Sequence, residues 1–171
     1  MENNYQIAAK QLLGNRIKEP KKICLAPELI PQDLEQVHNI QAEMIKLRED
    51  AVIGWKCLEP LSENQFIFAP IFADTLQSGE QCALFSQNEK ARVEPEIAFV
   101  LGADLPANEA GYSVAEIDDA VKVRHMALEL MQSRYNDQPD ITFYEKLADG
   151  LVNQGLYIGP ELDKEVAYAS K

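Results

Sequence analysis

The sequence predicts an α+β fold, with N-terminal helices followed by a strand-rich body. A change of hydrophobic period near residue 51 is the main sign. Before it, apolar residues recur at helical spacing in "NNYQIAAKQLLGN" and "PQDLEQVHNIQAEMIKLRED". After it, short apolar or alternating runs dominate: "AVIGWKCL", "FIFAPIFA", "QCALF" and "ARVEPEIAFVLG". Helices return only as insertions among these strands, the pattern of a mixed rather than a segregated chain. The break divides the chain into a helical region, 1–50, and a β-rich region, 51–171.

Each element has a local reason. In the first helix Asn3 or Asn4 serves as cap, Ile7, Ala8, Leu12 and Leu13 form a stripe, and Gly14 is placed to stop it. A basic, proline-punctuated connector, "RIKEPKK", leads to "ICLAPELI". The second helix has Pro31 at its expected start, with Leu34, Val37, Gln41 and Met44 on one face and Ile40 beside them. "SVAEIDDAVKV" predicts a helix opened by a capping box, Ser113 with Glu116 three residues on. "MALELMQSRY" fits strand or helix by periodicity. "TFYEKLADG" reads as a short helix ending at Gly150, and "GLYIG" as a strand. There is no internal repeat and no low-complexity segment.

The chain has 171 residues, 46% hydrophobic and 26% charged, which is enough for one domain with a proper core. A formal charge of -12 repels phosphate backbones and anionic lipid, so nucleic acid and membrane are not expected partners. Cys24, Cys57 and Cys82 match neither a zinc pattern nor Cys-x-x-Cys, and are expected as reduced, partly buried thiols. "MENNYQ" carries no signal-peptide character and no run approaches a membrane span, so the expected location is cytoplasmic.

The candidate chemistry centres on "RVEPEIAFVLG". On a strand, side chains alternate faces, so Glu94 and Glu96 point the same way at the mouth of an apolar run. Two like charges side by side need a positive partner, either Lys or Arg or a metal ion. Carboxylates with a further oxygen ligand suit Mg²⁺ or Mn²⁺ rather than zinc. Glu129, between Leu128 and Leu130, is a third acid in an apolar setting, where an unpaired carboxylate is expensive. It either joins the pair around a cation or takes Arg134 or His125 as partner. Lys56, alone in an apolar strand, either snorkels to the surface or is aimed at an anionic substrate. His38 and His125 read as structural or exposed. No nucleophile elbow, phosphate loop or dinucleotide fingerprint is present.

Four segments in order, "LAPELIPQDLEQVHNIQ", "IGWKC", "RVEPEIAFVLGADLP" and "ALELMQSRY", resemble the hydratase/decarboxylase branch of the fumarylacetoacetate hydrolase superfamily. "LADGLVNQGLYIG" is a weaker echo. The similarity covers residues 22–159, and within that branch the chain resembles the 2-keto-4-pentenoate hydratases. It implies a mixed β-roll, incomplete at its C-terminal end, and a divalent-metal-dependent lyase acting on 2-oxo or 2-hydroxydienoate acids in aromatic catabolism. Glu94, Glu96 and Glu129 would be the Mg²⁺ or Mn²⁺ ligands and Lys56 the active-site lysine. The reaction implied is hydration of 2-hydroxypenta-2,4-dienoate, with 4-oxalocrotonate-type decarboxylation as the alternative. A non-catalytic subunit of the same fold is a third reading.

The chain departs from that pattern in places. After Lys56 the usual Val-Gly-Leu is Cys57-Leu58-Glu59-Pro60, and an Asp-Asn-x-Ser stretch is replaced by Asp149-Gly150-Leu151-Val152. Asp74 lies at a plausible distance for a family acid, but "PIFADTL" fits a later segment. The family continues well beyond residue 171. An open sheet edge is therefore expected, which invites a second copy or a related subunit.

Overall fold

A computed structural model describes residues 2–16, 24–59, 65–87, 89–135 and 141–169. Most of the "RIKEPKK" connector lies outside them.

Helix α1, Asn4–Gly14, opens with a capping box: the Asn3 side chain accepts from the Gln6 backbone at 2.9 Å, and Gln6 answers to the Asn3 N–H. It buries Ala8, Ala9 and Leu12. Its C-cap is Asn15 rather than Gly14; the Asn15 side chain reaches the Arg134 carbonyl at 2.7 Å and ties the helix end to the body. Helix α2, Leu34–Leu47, begins after Asp33, three residues beyond the expected Pro31, because the Asp33 carboxylate accepts the Gln36 N–H at 2.8 Å. Val37, Ile40, Gln41 and Met44 form its buried face, as the spacing predicts.

Strands β1, Val52–Leu58, and β2, Ile67–Phe72, pair antiparallel, placing Lys56 opposite Ala69. A second, mixed sheet contains β3, Leu76–Ser78; β4, Ser86–Gln87; β5, Lys90–Leu101; β6, Val121–Met131; and β7, Asn153–Glu161. Its order is β3-β7-β6-β5-β4, with β3 parallel to β7 and the other pairs antiparallel. Helices α3, Val114–Ala120, and α4, Phe143–Ala148, precede β6 and β7, and α5, Lys164–Ala169, follows.

Two apolar clusters hold these parts together. The larger joins Ala8, Ala9 and Leu12 of α1, Val37, Ile40 and Met44 of α2, Ile67 of β2, and Leu147 and Ala148 of α4. The smaller joins Ile71 of β2 to Ala127 of β6 and Leu156 of β7. Strand β2 thus links the helices to the sheet, and β1, paired with it, carries Lys56 over the sheet.

The α+β reading holds, with local corrections. The strand expected at "QCALF" does not form: the Gln77 side chain takes both the Ala83 N–H and its carbonyl, so local bonds replace a ladder. Helix α3 stops at Ala120 rather than Val123, because β-branched Val121 and Val123 pair with β5 instead. "MALELMQ" resolves as strand. Cys24, Cys57 and Cys82 are free thiols, but Cys57 is exposed rather than partly buried, since it alternates with inward-facing Lys56. Among the described residues no helix is long and apolar enough to cross a membrane.

Beyond Ala91 the outer edge of β5 has no paired strand among the described residues. Pro95, which has no N–H to give a ladder, is tolerated on such an edge. Val93, Phe99 and Met126 are exposed on the same sheet.

Candidate metal centre

The register of two strands builds the site. Alternation along β5 puts Glu94 and Glu96 on one face, and antiparallel pairing sets Glu129 of β6 directly opposite Glu94. One oxygen from each of Glu94, Glu96 and Glu129 lies within 4.8 Å of the others. Glu94 is exposed, Glu96 half-buried and Glu129 fully buried, so the group descends from solvent into the core.

Lys56 enters from β1. Its ammonium donates to Glu129 Oε2 and stands 3.9 Å from Glu94 Oε2. It is buried, so it does not snorkel to the surface. Glu129 Oε1 accepts from Asn153 Nδ2 at 3.0 Å. Glu129 therefore pairs with neither Arg134 nor His125. Arg134, beyond the end of β6, turns to Asp149 Oδ2 at 2.5 Å and Gln154 at 2.6 Å; His125 Nδ1 donates to the Gly159 carbonyl at 3.0 Å. His38 stacks on Phe68, with ring centroids 4.3 Å apart. Asp74 is an exposed partner of Arg48 and stands outside the carboxylate group.

Burial raises the Glu129 carboxyl above its ordinary range, against the pull of Lys56. Burial also raises Glu96, with Lys56 opposing and Glu94 adding to the rise. With all three carboxylates ionised, the one ammonium leaves an excess of two negative charges in the group. A divalent cation matches that excess. The spacing fits as well: metal–oxygen bonds of about 2.0–2.5 Å allow oxygens roughly 4–5 Å apart across a shared ion. An all-carboxylate set selects hard cations over zinc.

No family model matches the chain. Solved structures do. One is 4-oxalocrotonate decarboxylase from Pseudomonas putida G7 complexed with magnesium and adipate, at a TM-score of 0.75 and 14% identity over 95% of this chain and 65% of that one. Another is the same enzyme complexed with calcium and acetate, at 0.71 and 15% over 95% and 64%. The chain has the decarboxylase fold. It spans just under two-thirds of that enzyme's length, and identity this low speaks for the fold alone. The likeness agrees with the N-terminal helices and mixed β-roll expected from the sequence.

Asn153 is the member of the site that sequence reasoning missed. Its signal was slight: a polar residue opening the apolar strand "NQGLYIG", two positions before a glycine whose added Cβ would stand 2.6 Å from the Thr75 carbonyl oxygen. That glycine marks a close approach of β7 to the chain at Thr75.

Proposed function

We propose that this chain belongs to the hydratase/decarboxylase branch of the fumarylacetoacetate hydrolase superfamily and is a divalent-metal-dependent lyase for 2-oxo or 2-hydroxydienoate acids. The observation that carries the proposal is the convergence of Glu94, Glu96 and Glu129 beside a buried lysine. These three carboxylates would hold Mg²⁺ or Mn²⁺. When bound, the cation supplies Lewis-acid polarisation to the chelating oxygens of a 2-oxo acid.

The chain's own groups supply the rest. An ammonium carries three N–H donors, and Lys56 commits one to Glu129. The others would serve an anionic ligand at the carboxylate group, holding charge that develops on the substrate oxygen or delivering a proton. Glu129 orients Lys56 through that bond, and Glu94 and Glu96 shape the solvent-facing side.

Hydration of a 2-hydroxydienoate is the first reading, supported by the segments that resemble the hydratases. Decarboxylation is the second, supported by the decarboxylase whose fold the chain shares. Exposed Val93, Phe99 and Met126 support work as a homo-oligomer or with a related subunit. A cytoplasmic location goes with such small-molecule chemistry.

The test is to offer the Mg²⁺-loaded protein 2-hydroxypenta-2,4-dienoate and 4-oxalocrotonate separately, following ultraviolet absorbance and CO₂ release. Loss of dienoate absorbance without CO₂, abolished in Glu96→Ala, is the expected result. CO₂ release from the oxalocrotonate would move the assignment to decarboxylase. Metal binding without turnover of either acid would leave the non-catalytic subunit reading.

A further inference from the structure

We propose that Asn153 is a positioning residue of this metal centre, its carboxamide fixing the carboxylate plane of Glu129. The inference rests on the metal reading above. Glu129 has no exposed surface, and both its oxygens are engaged: Oε2 by Lys56 and Oε1 by Asn153. Each carboxylate oxygen has two lone pairs, so one donor on each leaves the second pair of both oxygens facing a fixed direction. Lys56 alone would leave the group free to turn about its terminal torsion, which is soft. The carboxamide removes that freedom.

Asn153 is itself held. Its Nδ2 donates to Glu129 Oε1 at 3.0 Å and to the Gly155 carbonyl at 3.4 Å, and its side chain is buried. Both bonds require a donor, so the nitrogen rather than the oxygen of the amide faces Glu129.

The backbone before Asn153 takes an unfavourable path to this position. Gly150, Leu151 and Val152 have φ of 76°, 54° and 66°. Left-handed backbone suits glycine but not leucine, and for β-branched valine it is an outlier. Four bonds hold the turn there. Gly150 N–H reaches Leu147 O at 2.9 Å, Leu151 N–H reaches Lys146 O at 2.7 Å, and Asn153 N–H reaches Gly150 O at 3.1 Å. The fourth runs from Gln132 N–H to Val152 O at 2.9 Å, tying the turn to the end of the strand that carries Glu129. Strain kept in place by surrounding bonds is a mark of functional positions. Here it delivers one carboxamide to one buried carboxylate.

Groups behind a metal ligand typically change affinity by about 10–100-fold when removed. The experiment measures Mn²⁺ binding by calorimetry and the electron paramagnetic resonance spectrum of bound Mn²⁺, on the unmodified chain, Asn153→Ala and Asn153→Ser. Asp118→Asn, at an ion cluster with Arg124 and Lys164 outside the site, serves as a control for stability loss alone. Expected is roughly 10–100-fold weaker binding by Asn153→Ala, partial recovery in Asn153→Ser because a hydroxyl donor remains, and altered spectra in both. Asp118→Asn should bind as the parent does. If Asn153→Ala fails to fold, the spectrum and affinity of Asn153→Ser decide. Parent-like affinity and spectrum in the folded Asn153 variants would overturn the positioning role while leaving the metal site standing. An unmodified chain that takes up no Mn²⁺ would overturn the metal reading and this inference with it.

Discussion

Lys56 and Glu129, 73 residues apart in the chain, are joined by a hydrogen bond inside the fold, with Glu129 wholly buried. A buried ion pair of this kind contributes little net stability over an apolar pair, because both charges lose water. Breaking it from one side is different, since the remaining charge is stranded.

Lys56→Met, measured in chelator at neutral pH, should therefore lose about 3–5 kcal/mol of unfolding free energy in urea. Adding Glu129→Gln should recover a large part of that loss, because the two residues share one interaction. A double variant as unstable as the sum of the singles would show that the pair is not coupled.

Asp149 makes a second internal tie. Its carboxylate accepts from Arg134 Nε at 2.5 Å and Arg16 Nε at 3.2 Å, joining the end of α1 to the end of α4, and all three side chains are nearly buried. Burial lowers the Arg16 guanidinium to about 10, with Asp149 opposing. Asp149→Ala strands two guanidinium groups and should cost about 3–5 kcal/mol in the same urea assay. Asp74→Ala, which removes an exposed partner of Arg48, should cost less than about 1 kcal/mol.

Asp118 gives the pH dependence. A hydrogen bond from Lys164, then one from Tyr168, hold its carboxyl at about 2, below the ordinary 3.8. A lowered carboxyl stabilises the folded state fully above the unfolded value and loses that effect as pH falls through the folded one. The stability difference between the parent and Asp118→Asn should thus be constant above pH about 5 and shrink between about 4 and 2. Amide exchange in α5, which this cluster holds to α3 through Lys164 and Tyr168, should rise over the same interval. A difference that grows on acidification would refute the assignment.

Much of this fold is legible in the sequence where a local rule decides. The Ser113/Glu116 box, the Val37–Met44 stripe and the alternation that turns Glu94 and Glu96 the same way all depend on neighbours a few residues off. What was missed depends on distant partners. "QCALF" has the composition of a strand, yet Gln77 satisfies its backbone instead. Helix α5 is short and leans on β6. The same divide runs through the site. The acids stood out as charges beside apolar runs, whereas the partners of Glu129 were set by register and by a strained turn at Gly150–Val152, neither of which has a sequence signature. The local candidates Arg134 and His125 lost to Lys56 and Asn153 for that reason.

The most direct test of the account is a Mn²⁺ titration by calorimetry on this chain and on Glu96→Ala, with and without oxalate as a mimic of the chelating acid. A formed metal centre gives a single saturable site, tightened by oxalate and abolished in Glu96→Ala. No saturable binding by the unmodified chain, or equal binding by Glu96→Ala, would contradict it.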